Sequence, residues 1–450
     1  MSGGFLWLAA FLLLMLPGLP LLWHRTFGGI PVASRAILAG AVGSVLVSFA
    51  MTLFALLGVP WHVAGLLLTA MFLAFALRLA LPREGPLDGP HEPPRTAGAA
   101  AGLLSRLGVL LALAATAGGA ASSPDLVFFW GPKAQQYALA RTVDAGFLGD
   151  EYLQYMHAYY PPLVTNLYAF ASMVAGRLSW VAATLTFPLL LAALALGLPG
   201  LLRTRISRPN ASAAAALIVC AIAYAGIEAD IGGNAEMALL FFETLAMSLL
   251  LGPAASGAAT QLLAGLLLAG IATTKVEGLP FVLASAVLFL LLRRRDVRPA
   301  GSVLALFGPT VLALSVWFAF GATRHLFFGY AGQGSWLDLR PGLWKIVLRS
   351  VVLSLGSTGH GLPYLVPLAC LLLLAPGLTR VSAIPLGVAA ALAGFLLFTY
   401  LDRPGDPSQW ISWSAPRVLL PLAMLFALAA TCLRGDATGQ ERRTRAGSPG

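Results

Sequence analysis

The sequence predicts an all-α, polytopic helical membrane protein, with about thirteen transmembrane helices and further helices lying at the outer interface. Three observations lead there. Of 450 residues, 58% are hydrophobic and only 10% charged, whereas soluble domains carry roughly 25% charged residues. The mean hydropathy is +0.84. The apolar residues gather in runs near the ~20 residues that cross a hydrocarbon core about 30 Å thick. In such a core each backbone polar group has to be paired internally, so these runs form helices.

In chain order the expected spans are 4–23, 34–57, 61–81, 99–121, 178–201, 211–227, 235–252, 259–274, 278–292, 300–321, 362–376, 381–400 and 414–433. The first lacks the basic leader and small-residue cleavage site of a signal peptide and is read as a helix. Four regions follow: N-terminal transmembrane helices over 1–121, an outer loop with juxtamembrane helices over 122–177, a helix bundle over 178–433, and a disordered tail over 434–450. Cys220, Cys370 and Cys432 lie in or beside apolar runs without CxxC spacing, which argues against disulfides and thiolate metal sites.

Arginines set the orientation. They cluster at Arg25 and Arg35, Arg78 to Arg106, Arg203 to Arg208, Arg293 to Arg298, Arg380, and Arg434 to Arg445, in alternate loops. With these loops on one side, that side holds 18 arginines against 6 acidic residues, and the other holds 10 basic against 12 acidic. The positive-inside rule makes the arginine side cytoplasmic. The N-terminus and the 122–163 loop are then outside, and the tail is inside. The net charge of +10 follows from this bias, and nucleic acid is not an expected partner. Parity leaves one crossing between the outer loop and Arg203, so 161–176 is expected to lie on or dip into the outer interface. The stretch 342–356, with Trp344, Lys345 and Arg349, is read the same way.

The polar side chains gather on the outer side. In the first outer loop, Asp125 precedes Trp130 and Lys133, and His157, Tyr159 and Tyr160 precede Pro161–Pro162. A carboxylate at a membrane surface can serve as a general base toward a hydroxyl; the plainer reading is a cap for the helix starting near Leu126. The tyrosines suit stacking on a sugar ring or anchoring among headgroups. A short outer turn carries Glu228, Asp230, Asn234 and Glu236. Glu236 and Glu243, seven residues apart, share one helical face. Acids in spans are expensive and usually functional, although pairing with a neighbouring helix explains them equally. Asp125, Asp230 and Glu236 are the candidates for a divalent cation, the only cofactor considered. Lys275 and Glu277 sit in another minimal outer turn; along a helix they would not face each other. Arg417 falls in the start of the last expected span, where it needs a carboxylate or phosphate partner. All three lysines, Lys133, Lys275 and Lys345, are outer or at the boundary, which suits an anionic phosphate.

Taken in order, Asp125…Trp130–Gly131–Pro132–Lys133, Tyr160–Pro161–Pro162–Leu163, Asp230…Glu236, Thr274–Lys275–Val276–Glu277–Gly278 and Trp413…Arg417 resemble the bacterial polytopic glycosyltransferases of the GT-C class. Protein O-mannosyltransferases and lipid A aminoarabinose transferases are of this kind. The resemblance covers about 121–433. It implies a bacterial inner-membrane transferase taking sugar from a polyprenyl-phosphate carrier, with Asp125 as catalytic acid residue and Lys133, Lys275 and Arg417 at the carrier phosphate. The acceptor is an unidentified glycan, lipid or protein. The chain departs from the family in having Asp125–Leu126 where an adjacent acid pair is usual, and in three extra spans before the loop. A lipid-linked glycan transporter or flippase, and a polysaccharide ligase or polymerase using a diphosphate donor, are the rival expectations.

Overall fold

The computed structural model describes residues 2–81, 99–119, 122–150, 152–153, 158, 160–203, 208–295, 297–326, 341–356, 366–369, 381–402 and 406–430. These residues fold almost wholly into helices, and the one non-helical pairing among them is an isolated parallel bridge between Ser122 and Gly232. The helices are α1 (Ser2–Leu13), α2 (Met15–Leu22), α3 (Val32–Leu57), α4 (Val63–Ala80), α5 (Ala99–Ala117), α6 (Gly131–Ala140), α7 (Ala145–Gly149), α8 (Leu163–Ala175), α9 (Trp180–Thr184) and α10 (Thr186–Leu202). They continue as α11 (Arg208–Glu228), α12 (Ala235–Leu251), α13 (Ala258–Thr274), α14 (Gly278–Leu292), α15 (Pro299–Thr323), α16 (Trp344–Gly356), α17 (Ala383–Asp402), α18 (Pro407–Val418) and α19 (Leu420–Ala430). A π-helical turn, Leu126–Trp130, runs directly into α6.

Among the described residues eight helical stretches are long and apolar enough to cross a membrane, or nine if the bent pair α18–α19 forms one span. The all-helical, membrane-spanning class is therefore observed, with a smaller count than the thirteen expected. Residues 362–376 lie mostly outside the described residues, and α13 and α14 are apolar but shorter than a full span. Local chemistry explains where helices start and stop. Helix α3 follows Pro31 and ends at the left-handed Gly58, and α15 starts on Pro299, whose missing N–H is harmless there. Helices α2 and α3 cross with almost no separation: a Cβ on Gly43 would sit 1.7 Å from the Leu14 carbonyl oxygen. Small residues permit such crossings in membranes, where packing rather than apolar burial drives association. Phe72, Leu110, Leu111 and Leu304 remain exposed on outward helix faces, as a lipid-facing surface requires.

One expectation needs correction. The last span, 414–433, is not one helix: α18 and α19 meet at a 40° bend. Pro416 and Pro421 each remove a backbone donor around Leu419, which breaks the ladder there. Helix α8, expected to lie on or dip into the outer interface, is packed inside the protein. Leu163 to Ser172 are all buried, against α1, α3 and α6. Its polar residues explain the burial: Asn166 Nδ2 donates to the Ser48 carbonyl at 3.2 Å and to Thr52 Oγ1 at 3.1 Å, and Tyr168 OH donates to the Gly233 carbonyl at 3.1 Å. Helix α16 does keep an amphipathic, half-exposed character, with Trp344, Leu348 and Val352 outward and Val347 inward. With α17 and α18 it forms a second small apolar cluster of Val347, Leu396, Tyr400, Ile411, Ala415 and Leu419.

Candidate functional site

The site is assembled by four chain breaks that deliver charge to one end of the bundle, one of them the turn after α13 that carries Lys275 and Glu277. The first is the entry to the π-helical turn. Asp125 stands at its N-terminal position with helical backbone angles, and its side chain makes no capping bond. Ser123 Oγ instead accepts from the Asp125 N–H at 3.2 Å, which frees the carboxylate to face outward. The capping reading of Asp125 is thus overturned. The second break is the turn before α12, where Asn234 caps the helix: its Oδ1 accepts from the Ala235 N–H at 2.7 Å. The third is the proline-flanked bend, which ends α18 with Arg417 in its last turn.

These parts meet. Arg417 Nη1 donates to Asp125 Oδ2 at 2.7 Å and lies 3.9 Å from Glu236 Oε1. Lys275 Nζ donates to Glu236 Oε1 at 3.0 Å and approaches Glu277 Oε1 at 3.5 Å. Asn234 Nδ2 donates to Asp125 Oδ2 at 3.1 Å, and the Trp130 indole N–H donates to Asn234 Oδ1 at 3.0 Å. Residues separated by up to 292 positions therefore form one network. Lys275 and Glu277, which would not face each other along a helix, come together in the turn because Lys275 leaves α13 in an extended conformation (φ −155°, ψ 153°).

Below the network a narrow cleft, with only about 20 Å³ of enclosed space, runs between α12, α17 and α19. Glu236, Lys275, Glu277 and Arg417 line its charged end. Leu239, Leu240, Leu392, Phe395, Leu396 and Pro421 form its apolar walls. Glu243 also lines it, a residue the helical spacing places on the Glu236 face and which belongs with the site residues. It is 1% exposed. Glu236 Oε2, Glu243 Oε2, Glu277 Oε2 and Arg417 Nε have no hydrogen-bond partner among the described residues. Buried polar atoms usually have one, so these are atoms ready for a ligand or water.

The other expected residues fall elsewhere. Trp130 is buried, with Tyr160 stacked on it at 6.0 Å and 12°, so it braces the site rather than offering its face to a sugar. Lys133 is 2% exposed, its Nζ 3.8 Å from the centre of the Phe129 ring and 5.2 Å from that of Trp130. It is not among the residues that line this cleft. Burial draws its ammonium down from 10.5 to about 7. Asp230 is exposed, in a left-handed conformation (φ 51°). Its partial burial raises its carboxyl above the usual range, against the pull of Arg417 and with Glu228 adding to the rise. His157 and Tyr159 lie outside the described residues.

The divalent-cation expectation does not fit. Asp125 Oδ2 faces Arg417 and Asn234, and Glu236 Oε1 faces Lys275. Among the described residues no group of three His, Cys, Asp or Glu could hold a metal ion. The arrangement is instead two cations, Lys275 and Arg417, held by the carboxylates of Asp125, Glu236 and Glu277 above an apolar-walled cleft. Such a set can meet an anionic group at the mouth, in competition with those carboxylates, and place a carboxylate beside it. No family model matches the chain, and neither curated proteins nor solved structures give a match.

Proposed function

We propose that this chain is a membrane glycosyltransferase of the GT-C type, which moves a sugar from a polyprenyl-phosphate carrier to an acceptor hydroxyl at the outer face of a bacterial inner membrane. One observation carries the reading: Arg417 and Lys275 stand with carboxylates at the charged mouth of a cleft whose walls are apolar. That is the pattern an amphiphile with an anionic head requires. Arg417 supplies a planar fork suited to phosphate oxygens and Lys275 a point charge.

In this reading the carrier enters sideways from the bilayer, its chain along Leu239, Leu240 and Leu392. Asp125 accepts the proton of the acceptor hydroxyl while that oxygen attacks the anomeric carbon. The bond to the carrier phosphate breaks on the opposite face, and the electron pair leaves with the phosphate, held by Arg417 and Lys275. The product is inverted. Phosphate is a good leaving group, so one base and cationic stabilisation suffice. The N-terminus and the site face outward, and the tail is cytoplasmic.

A lipid-linked glycan transporter is the second reading. Buried Glu243 and the bent α18–α19 pair are features such proteins use. The deciding experiment follows purified full-length protein with a radiolabelled polyprenyl-phosphate sugar and envelope acceptors. Transfer is expected, reduced by ~100-fold or more in Asp125→Asn. Label that crosses vesicle membranes without changing carrier supports transport, and transfer undiminished by Asp125→Asn removes Asp125 as base.

A further inference from the structure

We infer that Asp125 and an incoming anionic headgroup compete for Arg417, so that headgroup binding and release of the Asp125 carboxylate are one event. This rests on the reading of the cleft as a site for a phosphate-headed lipid. The starting point is that both cations of the cleft already hold carboxylates. Arg417 is engaged by Asp125 at 2.7 Å and by Glu236 at 3.9 Å, and Lys275 by Glu236 at 3.0 Å and Glu277 at 3.5 Å. An anion entering the mouth therefore draws on the same two cations as these carboxylates and weakens their hold.

Exposure decides which one yields. The Asp125 side chain is 40% exposed, and that of Glu236 only 4%. Released from Arg417, Asp125 is met by water. Glu236 would be left as a buried charge, which is far more costly. The guanidinium is also prepared for exchange: its Nε has no partner among the described residues, so a second edge remains for an oxyanion. Arg417 sits one residue before the junction of α18 and α19, where the broken ladder gives it room to swing. Asp125 is not lost when Arg417 leaves. Asn234 Nδ2 still holds Oδ2 at 3.1 Å, and Asn234 is itself fixed by Trp130 and the Ala235 N–H. Asn234 is thus a positioning residue, which keeps the freed carboxylate aimed at the mouth.

The consequence is a sheltered base. Without donor, Asp125 is neutralised by Arg417; with donor, the phosphate takes the guanidinium and the carboxylate becomes available to an acceptor. Binding linkage is reciprocal, so removing the Asp125 charge has to strengthen headgroup binding even as it abolishes transfer.

The test measures binding of farnesyl phosphate to the full chain in detergent, with farnesol as the uncharged control. Asp125→Asn is expected to bind the phosphate about two- to fivefold tighter, the range for losing a competitor in a partly exposed ion pair. Asp125→Glu, which keeps the charge, should bind as the parent does. Asp125→Ala replaces the asparagine variant if that protein does not fold. Binding that prefers phosphate to alcohol but is equal or weaker in Asp125→Asn overturns the competition. If no variant prefers phosphate to alcohol, the cleft is not a phosphate site, and the reading it rests on falls as well.

Discussion

Replacing Lys275 by methionine strips the buried Glu236 of its nearest cation while keeping most of the side-chain volume. Lys275 Nζ lies 3.0 Å from Glu236 Oε1, and both side chains are under a tenth exposed. At an effective dielectric of about 20, that separation corresponds to ~5.5 kcal/mol of attraction. Arg417, at 3.9 Å, retains part of the compensation. Breaking one partner of a buried pair costs about 3–5 kcal/mol, and the Arg417 contact places Lys275→Met at about 3 kcal/mol. Glu236→Gln carries its own cost, because Lys275 keeps only Glu277 at 3.5 Å. The double variant removes both charges and should recover about 2 kcal/mol relative to the sum of the single changes. Unfolding of the purified protein by SDS in mixed micelles measures all four members of the cycle. A coupling below ~0.5 kcal/mol would mean that the pair does not hold α12 to the end of α13, and the account of the site as a cooperative ionic network would fail.

Two further outcomes are expected. The Lys133 ammonium gives up its proton near pH 7 in the folded protein and at its ordinary 10.5 when unfolded; between those values the unfolded chain binds more protons, so stability rises with pH across that window. Lysine-selective NMR checks it, since the chain has three lysines, and a Lys133 signal that titrates near 10.5 refutes it. Gly233→Ala should destabilise by about 1–3 kcal/mol, because Gly233 is left-handed (φ 81°) and its added Cβ would sit 2.5 Å from the buried Leu126 side chain. Gly301→Ala, with open space around it, should be neutral or stabilising by about 0.5 kcal/mol; equal thermal shifts for the two would refute the strain argument.

The charged residues of the site were legible in the sequence because the bilayer makes them conspicuous. A lysine, an arginine and two glutamates at the ends of apolar runs need partners, and Lys275, Arg417 and Glu236 find one another. The i, i+7 spacing likewise carried Glu243 to the cleft that Glu236 lines. What sequence could not convey was direction. Lys133 and Trp130 are of the right types in the right loop, yet both are buried, Trp130 against Tyr160 and Lys133 over the Phe129 and Trp130 rings. Asp125 resembles a cap until Ser123 is seen to take that position. The break of the last span was also hidden. Pro416 and Pro421 were visible, but prolines are tolerated in membrane helices, and only packing decides whether the ladder bends or parts. The burial of helix α8 was equally hidden, because it depends on Asn166 and Tyr168 finding partners on α3 and before α12.

The two apolar clusters have a mechanical corollary. The small one, built from α16, α17, α18 and Ala423 of α19, shares α17 and α19 with the main core, and the cleft is lined from both sides of that joint. Leu392 belongs to the main cluster, while Leu396, one turn on, belongs to the small one. If a lipid carrier enters as proposed, a shift of α16 and α18 about the α18–α19 elbow would widen the slot and carry Arg417 with it. Entry from the bilayer and the exchange of ionic partners would then be two views of a single displacement.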